Sequence, residues 1–480
     1  MPRAARGVGA SLDGMTIAAL PSRAPSEQGV DASGVLAFLD GLESTPGVEP
    51  HSLVVVRHGS VVAEGWWSPY SADRVHLLYS LSKSFTSTAV ALAVDEGLLR
   101  LDDTVLSHFP ELDADVTDPR SRSVRVRDVL AMASGHLAET LDRALRADPV
   151  DLVRGFLLTP PEAEPGSVFA YNQPCTYAVA AIVQRASGLP LTEYLRPRLF
   201  EPLGIGQVSW QRDAAGREIG FSGLHAQTEA VALLGQLWLQ DGTWQGRQLL
   251  PTAYVQEATR AQVANPDEAA ADWSQGYGFQ FWMARHGYRG DGAYGQFCLV
   301  LPEHDAVVAL TGQTVEMQAV LDLAWRHLLP AFEGPGDRAA DGALAGRTAT
   351  LGLTPLDDDA GAGPLETAIS TPSATSEQAT LTGVELTGHD SSWQLRLHEG
   401  DDVLEAEMVL GAWTVTDALA VTAGRRGSAL HVDVVFVETP HRLHLVLEGG
   451  SADVRWETTP LHAPALRQLR APREGEVSPV

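Results

Sequence analysis

The residue in this sequence that is best suited to proton chemistry is Lys83, because it is the sole lysine of the chain. The chain has 34 lysine and arginine residues in total, so every other such cation is arginine. A lysine amine can lose its proton when it is desolvated, whereas an arginine guanidinium in a protein stays charged. We therefore interpret Lys83 as a candidate proton-transferring group. The alternative is that one lysine has been retained by chance on a solvated surface.

Ser80 lies three residues before this lysine, at a spacing that matters in a helix. Residues i and i+3 share one helical face, so the Ser80 and Lys83 side chains would meet in the first turn. A serine hydroxyl is a weak nucleophile until a neighbouring base removes its proton. The positive potential of a helix N-terminus favours an alkoxide on Ser80 and a neutral amine on Lys83. The pair therefore supplies a nucleophile and a base within one turn.

A helix has to position this pair, and the surrounding sequence carries the signals of one. The segment 80–88 is rich in serine and threonine, which are typical of a helix N-terminus, and the apolar stretch 89–94 follows it. Gly97 indicates the end of the helix. The further predicted elements are an amphipathic helix over 31–43, strands over 51–66, a helix-rich region from about 77 to 260 with one helix over 177–187, strands over 277–283, 297–301 and 306–311, and a helix over 315–332.

The sequence Ser-Leu-Ser-Lys-Ser-Phe-Thr at 80–86 resembles the first motif of the serine β-lactamase and penicillin-binding protein family. It is most similar to the class C-like branch, which includes D-alanyl-D-alanine peptidases, esterases and 6-aminohexanoate-dimer hydrolases. The resemblance covers about residues 30–335. It implies an α+β fold, a β-lactamase-like domain in which an antiparallel sheet is flanked by helices and carries an inserted helical region. It also implies a serine hydrolase that needs no cofactor and no metal.

The family's second motif, Tyr-x-Asn, is matched by Tyr171, Asn172 and Gln173. The resemblance implies that Tyr171 relays a proton between Ser80 and the leaving group, since a charged lysine nearby can lower the pKa of a tyrosine. The alternative for Tyr171 is an ordinary half-buried aromatic side chain. Gln173 stands where the family usually has asparagine. We predict that its amide, on a stem one carbon longer, binds a substrate carbonyl.

The third motif, Lys-Thr-Gly or His-x-Gly in relatives, is matched by the sequence Gly-Asp-Gly-Ala-Tyr-Gly-Gln at 290–296. We predict that Gly290, Asp291 and Gly292 bind substrate, because small residues let a substrate backbone approach a strand closely. For Asp291, the role of a turn residue between two glycines is as well supported as a role in the site. Gly290 replaces the family's cation, so β-lactams and D-Ala-D-Ala peptides, which carry a carboxylate, are less favoured as substrates. Arg289 is a candidate substitute for that cation, or a solvent-exposed residue.

The resemblance also implies an oxyanion hole formed by the backbone N–H groups of Ser80 and Ala293. Together these residues predict a serine hydrolase that cleaves an ester or amide through an acyl-enzyme on Ser80. The choice of base between Lys83 and Tyr171 stays open, because coupled groups titrate jointly. The alternative function is that of a catalytically weakened member that acts as a binding or regulatory protein.

Other aromatic and histidine side chains of the same region could reach the site. The aromatic candidates for the wall of an apolar pocket are Trp210, Trp273, Trp282, Tyr294 and Phe297. The histidine candidates are His136, His225 and His286. For each of them, core packing or a surface position is the more conservative interpretation.

Five segments are predicted along the chain. Residues 1–29 form an N-terminal extension and residues 30–335 the hydrolase domain. Residues 336–377 are dominated by Gly, Ala, Pro, Asp, Ser and Thr, which is typical of a linker. Residues 378–470 contain runs that alternate between apolar and polar residues, so they predict a small all-β C-terminal domain of open role. Residues 471–480 form a tail.

Composition narrows the function classes further. The 480 residues carry a formal net charge of −27, which disfavours nucleic acids and anionic membrane surfaces as partners. The two cysteines, Cys175 and Cys298, are too few for a disulfide framework and lack metal-ligand spacing. No apolar run reaches the roughly 18 residues of a membrane span. We expect a cytoplasmic protein that acts on a small-molecule ester, amide or lactam, and the sequence leaves self-association open.

Overall fold

The structure, a computed structural model, describes residues 20–359, 365–389, 392–462, 464–473 and 476–477. Most of the predicted N-terminal extension and part of the predicted tail therefore lie outside the described residues. Within the described ranges, no helix has the length and apolar character that a membrane crossing requires. The elements fall into two units, each with a large sheet of its own.

The first unit is built on an antiparallel sheet of six strands. The strands of this unit are, in chain order, β1 (Val48–Arg57), β2 (Ser60–Trp66), β3 (His76–Leu77), β4 (Val208–Trp210), β5 (Leu224–Ala226), β6 (Thr243–Trp244), β7 (Arg247–Gln248), β8 (Trp282–Met283), β9 (Tyr288–Gly292), β10 (Gln296–Leu301) and β11 (Ala306–Thr314). The six-stranded sheet has the order β2-β1-β11-β10-β9-β8. The chain therefore leaves the sheet after β2 and returns to it at β8.

Helices fill the interval between β2 and β8, and together with one helix before β1 and two after β11 they cover both faces of the sheet. They are α1 (Ala32–Ser44), α2 (Ser82–Asp95), α3 (Pro119–Ser123), α4 (Val126–Leu130), α5 (Leu141–Ala147), α6 (Leu152–Leu157), α7 (Gln173–Ser187), α8 (Leu191–Leu195), α9 (Glu201–Leu203), α10 (Thr228–Leu239), α11 (Thr252–Ala258), α12 (Met317–Ala331) and α13 (Arg338–Thr348). This arrangement confirms the predicted α+β class with a helical region inserted between parts of one antiparallel sheet.

The central strand β1 shows how the sheet separates two apolar cores. Leu53 and Val55 pack with the buried side chains of α1 and α12. Val54 and Val56 pack with those of α2 and α10 on the opposite face. Successive side chains of a strand point to opposite faces, so a continuous apolar run is needed where both faces are covered. The nucleophile helix α2 is thereby packed in the larger core.

The second unit is a sheet of nine strands that curls around its own apolar core. Its strands are β12 (Ala368–Pro372), β13 (Gly383–His389), β14 (Ser392–Glu399), β15 (Asp402–Met408), β16 (Thr414–Thr416), β17 (Leu419–Arg426), β18 (Ala429–Phe436), β19 (Arg442–Glu448) and β20 (Ser451–Trp456). The spatial order is β15-β14-β13-β12-β20-β19-β18-β17-β16. The two ends of this order approach each other, since the Glu407 N–H donates to Thr416 Oγ1 at 3.1 Å. The predicted all-β C-terminal domain is confirmed.

The segment 336–377, predicted as a linker, contains regular structure. Helix α13 lies within it and buries Leu344 in the core beneath α1. The Asp337 side chain caps this helix by accepting the N–H of Ala339 at 2.9 Å. Strand β12 also lies within the segment. The sequence of α13 has one buried leucine among Ala, Gly and charged residues, so its apolar periodicity is too weak to indicate a helix.

Strand content also differs from the prediction near residue 280. The predicted strand 277–283 is regular only at β8, and Tyr277 forms isolated bridges to Val263 and Trp282. Gln280 adopts a φ of +65° in this stretch, which interrupts an extended strand. Residues 276–281 therefore form an irregular segment, and its Phe279 and Gln280 carbonyls accept hydrogen bonds from Ser87 and Ser84 of α2.

The second unit packs against the first beside the start of α2. The N–H of Leu77, in β3, donates to the Glu438 carbonyl at 2.8 Å. Tyr70 Oη donates to the Thr439 carbonyl at 3.3 Å. Glu49 and Arg442 form an ion pair between β1 and β19. The contact between the two units therefore lies close to the turn that carries the predicted nucleophile.

Candidate active site

Ser80 and Lys83 meet at the start of α2. Ser80 lies in a single 3-10 turn, Tyr79–Leu81, and Lys83 is the second residue of the helix that follows directly. Lys83 Nζ lies 3.0 Å from Ser80 Oγ. The lysine side chain is 1% exposed, whereas Ser80 is partly open to solvent. The structure thus brings together the two residues on which the predicted chemistry depends.

Two further oxygen atoms hold the amine of Lys83. Nζ donates to Gln173 Oε1 at 2.7 Å and to the Phe221 carbonyl at 2.8 Å. It also lies 4.7 Å from the centroid of the Tyr171 ring. Burial lowers the pKa of Lys83 to about 7, although the nearby carboxylates of Glu139 and Asp291 act to raise it. The desolvation of this amine therefore outweighs the attraction of two negative charges.

A neutral Lys83 amine satisfies all three polar contacts. Gln173 Oε1 and the Phe221 carbonyl can only accept hydrogen bonds, whereas the Ser80 hydroxyl can donate one as well. A neutral amine has two N–H groups and one lone pair. It can therefore donate to the two acceptors and accept the O–H of Ser80. This arrangement presents the serine proton to a base.

Tyr171 borders the same site, but its pKa differs from the prediction. Burial, followed by the charge of Asp291, raises the pKa of Tyr171, while a hydrogen bond with Ser80 lowers it. The ring stacks on Trp282, with centroids 5.2 Å apart at 20°, and meets Tyr277 edge-on at 6.1 Å. The expectation that Lys83 would lower the pKa of this phenol is wrong, because desolvation dominates. Tyr171 is therefore a neutral phenol at neutral pH.

The second-motif loop leads into α7 and uses its two amide side chains differently. Gln173 is the first residue of α7, and its side-chain oxygen is bound to Lys83 rather than free for a ligand. Asn172 is fully buried, and its Oδ1 accepts hydrogen bonds from both the N–H and the Oγ1 of Thr140. Gln173 therefore takes part in positioning the lysine, and Asn172 holds the loop.

Gly290 and Gly292 of the third motif face the nucleophile turn. A Cβ added at Gly292 would lie 2.1 Å from the Leu78 carbonyl oxygen, and one at Gly290 would lie 2.5 Å from Ser84 Oγ and Leu81 Cδ1. Gly292 therefore needs glycine, because a Cβ there would meet backbone atoms. A side chain at position 290 would have to displace the ends of the Leu81 and Ser84 side chains. This close packing gives a reason for the small residues that does not involve a substrate, and substrate binding at Gly290 and Gly292 stays a prediction.

Arg289 and Asp291, which alternate with those glycines, face the opposite side of β9. Arg289 Nε lies 3.0 Å from Asp291 Oδ2, and the two side chains are 0% and 7% exposed. The guanidinium also donates to the Asp272 carbonyl at 2.7 Å and lies 4.3 Å from the centroid of a Trp273 ring. Arg289 is therefore buried rather than solvent-exposed. Its Nη2 has no hydrogen-bond partner among the described residues, so a role as a substitute cation stays a prediction. Asp291 lies at the end of a strand, and its pKa is raised by burial despite the arginine.

Ala293 lies in the three-residue loop between β9 and β10, next to the nucleophile turn. The Cβ position of Gly292 is 3.1 Å from the Leu81 backbone nitrogen, so the strand end abuts that turn. The loop is completed by Tyr294 and Gly295, with φ values of +65° and +90°. The predicted partners of the oxyanion hole, Ser80 and Ala293, thus belong to adjacent segments.

The remaining aromatic and histidine candidates divide between site and core. Trp282 lies at the site on the face of Tyr171, and Trp273 covers Arg289. Phe297 is fully buried in the core on the α1 side of the sheet. His136 is buried with its Nε2 2.8 Å from the Thr159 carbonyl.

The other candidates have structural positions too. His225 is buried with Nδ1 3.2 Å from the Gly223 carbonyl, and its ring borders a small cavity of about 50 Å³ between the two units. His286 packs against Trp325 on α12. Trp210 donates its indole N–H to the Ser222 carbonyl at 2.7 Å.

Two contributors to the site had no signal in the sequence. Glu139 accepts the Gln173 N–H at 3.0 Å and the Leu141 N–H at 2.7 Å, and burial raises its pKa. Phe221 contributes its carbonyl to Lys83. A backbone carbonyl is common to all residues, so no residue type marks it. Glu139 is one of many acidic residues in the chain.

A model of the family described as Beta-lactamase matches residues 38–331, which is more than half of the chain. The chain is 30% identical over 159 residues to the lovastatin esterase of Penicillium rubens, an alignment that covers 28% of this chain and 40% of the esterase. It is 27% identical over 283 residues to the 6-aminohexanoate-dimer hydrolase of Paenarthrobacter ureafaciens, which covers 54% of this chain and 71% of that hydrolase.

A likeness among solved structures extends beyond the matched region. The structure of SurE is similar with a TM-score of 0.50 at 20% sequence identity, and the similarity covers 89% of this chain and 99% of SurE. A coverage of 89% exceeds the first unit and so includes part of the nine-stranded sheet. At this identity the likeness concerns the fold alone.

Proposed function

Because this chain belongs to the Beta-lactamase family, we propose that it is a serine esterase or amidase that forms an acyl-enzyme on Ser80. The observation that carries the proposal is a buried Lys83 amine, with a pKa of about 7, at 3.0 Å from the Ser80 hydroxyl. A base whose pKa lies near the working pH is half neutral and still basic enough to take a proton. The esterase and amide hydrolase among the relatives support this reaction class.

The first step is proton transfer from Ser80 to Lys83 as the serine oxygen attacks the carbonyl carbon. One C–O bond forms, and the electron pair of the carbonyl π bond moves to the carbonyl oxygen, which becomes an oxyanion. The proton passes from Oγ to Nζ. The N–H groups of Ser80 and Ala293 stabilise this oxyanion. Removal of one such donor from an enzyme lowers the rate by about 10²–10³-fold.

The second step is the departure of the alcohol or amine. Tyr171, as a neutral phenol, donates its proton to the leaving oxygen or nitrogen, and the ammonium of Lys83 returns a proton to the phenol. The bond between carbonyl carbon and leaving group breaks, and the acyl group stays on Ser80. Water then attacks the acyl carbon while Lys83 takes its proton. The bond between that carbon and Ser80 Oγ breaks, the proton returns to Oγ, and the acid is released.

The charges of the site favour esters and amides without an essential carboxylate. Arg289 forms a buried ion pair with Asp291, whose negative charge offsets the positive charge that the guanidinium could offer to a substrate carboxylate. The carboxylate of Glu139 adds negative charge near Lys83. A β-lactam or D-Ala-D-Ala peptide carries a carboxylate that would be repelled there. We therefore expect neutral esters and amides to be better substrates than β-lactams.

The test of the proposal is covalent labelling of Ser80. Incubation with a fluorophosphonate is expected to add one adduct to the wild-type chain, measured by intact mass, and none to Ser80→Ala. Ser84→Ala is the matched control, because Ser84 belongs to the same helix start but donates to the Gln280 carbonyl at 3.1 Å. Full labelling of Ser80→Ala would reject Ser80 as the nucleophile.

A second candidate is a protein that binds the same ligands without turnover. It is motivated by Gln173, which stands where the family usually has asparagine, and by Gly290, which stands where the family has a cation. A panel of p-nitrophenyl esters, short p-nitroanilides and nitrocefin distinguishes the two. Hydrolysis of none of them, together with the absence of any acyl adduct, would favour binding alone.

A further inference from the structure

The nine-stranded unit contacts the residue that precedes the nucleophile. Tyr79 is 5% exposed and adopts a φ of +46°, a conformation that residues with a side chain rarely adopt. Its Oη lies 2.5 Å from Nε2 of His441, which comes from the loop before β19. The rings of the two residues meet edge-on with centroids 5.8 Å apart. A side chain from the second unit is therefore bound directly to the turn that carries Ser80.

The direction of this hydrogen bond follows from the other nitrogen of His441. Nδ1 lies 3.0 Å from the carbonyl oxygen of Thr458, which can only accept. Nδ1 therefore carries the proton, and in the neutral ring Nε2 must accept the O–H of Tyr79. Burial lowers the pKa of His441 to about 4, so the ring is neutral at neutral pH. The contact is thus a single, directed hydrogen bond.

The same part of the second unit also holds the residue that follows Ala293. Tyr294 adopts a φ of +65°, and its Oη donates to the Thr459 carbonyl at 2.5 Å. Its ring lies 5.3 Å from that of His441 and 5.5 Å from that of Tyr79, edge-on in both cases. Both segments that carry the proposed oxyanion donors are therefore anchored on the nine-stranded unit, one at the loop before β19 and the other just after β20.

We propose that the nine-stranded unit completes the hydrolase site: His441 is a positioning residue that fixes one side of the oxyanion hole through Tyr79, and the Thr459 carbonyl fixes the other side through Tyr294. The inference rests on the proposed function, because it assigns the oxyanion hole to the N–H groups of Ser80 and Ala293. The backbone torsions of Tyr79 set the direction of the Ser80 N–H. Those of Tyr294 shape the short loop that carries Ala293.

A positive φ at a non-glycine residue persists when surrounding contacts hold it. Tyr79 and Tyr294 are two such residues, each beside a proposed oxyanion donor and each hydrogen-bonded to the second unit. Loss of either hydrogen bond lets the turn relax toward negative φ and moves the donor. Oxyanion donors act on the transition state, so the loss is expected in kcat and not in KM.

The chain offers a matched control in Tyr70. Its Oη also donates to a backbone carbonyl of the second unit, that of Thr439 at 3.3 Å, and its side chain is similarly buried at 6% exposure. Tyr70 is stacked on His51 rather than placed beside a proposed donor. Tyr70→Phe and Tyr79→Phe therefore each remove one hydroxyl from the contact between the units. They differ in the distance from the nucleophile.

The experiment measures kcat and KM for p-nitrophenyl butyrate and the affinity for phenylboronic acid, which mimics the tetrahedral intermediate on serine. Tyr79→Phe is expected to lower kcat by roughly 10- to 100-fold with KM within about twofold, and to weaken boronate binding by a similar factor. Tyr70→Phe is expected to leave all three within about twofold. Thermal unfolding of both variants shows whether they lose similar stability.

Further variants keep the inference testable if Tyr79→Phe does not fold. Tyr294→Phe is expected to lower kcat in the same way. His441→Gln, whose side-chain oxygen can still accept from Tyr79, should retain more activity than His441→Leu. Equal kcat values for folded Tyr79→Phe, Tyr294→Phe and Tyr70→Phe would overturn the inference while leaving Ser80 labelling intact. A wild-type chain without hydrolysis and without adduct would overturn the proposed function, and the inference with it.

Discussion

The pH dependence of turnover tests the central physical claim, that burial makes Lys83 a base near neutral pH. The perturbation is pH itself, varied between about 5 and 9 with a neutral ester as substrate. The pKa of Lys83 is lowered from its ordinary value of 10.5 to about 7 by burial. The active form is the neutral amine, so kcat/KM must rise with pH and level off above the pKa of the free enzyme.

The magnitude follows from the fraction of neutral amine. With a pKa of about 7, roughly half of the Lys83 amines are neutral at pH 7 and about one in 100 at pH 5. The kcat/KM value should therefore fall about 50-fold between pH 7 and pH 5. With the ordinary pKa of 10.5, about one amine in 3,000 would be neutral at pH 7, and the rate would rise tenfold per pH unit up to pH 9.

A charge change near the amine identifies the titrating group. The Glu139 carboxylate acts to raise the pKa of Lys83, so Glu139→Gln should move the rising limb to lower pH, by roughly half a unit. Glu162→Gln is the matched control, because Glu162 pairs with Arg143 at 2.8 Å and does not act on the lysine. Stopped-flow or plate-reader assays in buffers of constant ionic strength give the full profile.

Three outcomes would refute this reasoning. A rate that keeps rising tenfold per unit through pH 9 would mean an ordinary lysine. A flat profile between pH 5 and 7 would mean that the neutral amine is not needed. A limb that moves to higher pH in Glu139→Gln would assign the titration to a group other than Lys83.

The remaining predictions concern charge and packing at the same site. Lys83→Arg should lower kcat/KM at least 10³-fold in a folded protein, since arginine keeps the charge but cannot take a proton; turnover near the wild-type value would exclude proton transfer by this residue. Asp291→Asn should destabilise the protein by about 3–5 kcal/mol in urea unfolding, because it leaves Arg289 as a buried, uncompensated charge; an unchanged midpoint would contradict that. Gly292→Ala should lower the free energy of unfolding by about 1–3 kcal/mol and remove much of the activity, because its Cβ would lie 2.1 Å from a backbone atom. Gly342→Ala, with open space around the new methyl group, should not lower the free energy of unfolding. Equal effects of the two substitutions would show that the packing of β9 is not what requires glycine.

The sequence was most informative where residues lie close together in the chain. Ser80 and Lys83 face each other because helical geometry converts a spacing of three residues into a shared face. Gly97 ends α2 with a φ of +70°, as its position predicts. The alternating patterns of the second unit likewise define strands, since each buried face repeats every second residue.

Prediction was poorer where composition hides periodicity or where burial decides chemistry. Helix α13 escaped prediction because a single buried leucine gives no repeating apolar face. The pKa of Tyr171 is raised rather than lowered, since desolvation by residues distant in the sequence outweighs the lysine nearby. The glycine at 292 is explained by the turn that leads into α2, some 200 residues earlier in the chain.

Taken by itself, the sequence determined that one lysine stands a helical turn after a serine and that an all-β segment follows a mixed domain. The tertiary structure decided that Lys83 is buried and hydrogen-bonded to Gln173 and Phe221. It also decided that Arg289 forms an ion pair with Asp291 and that His441 contacts the nucleophile turn. The physical reason is that local geometry depends on spacing along the chain. Desolvation and hydrogen-bond partners depend instead on which distant segments are packed together.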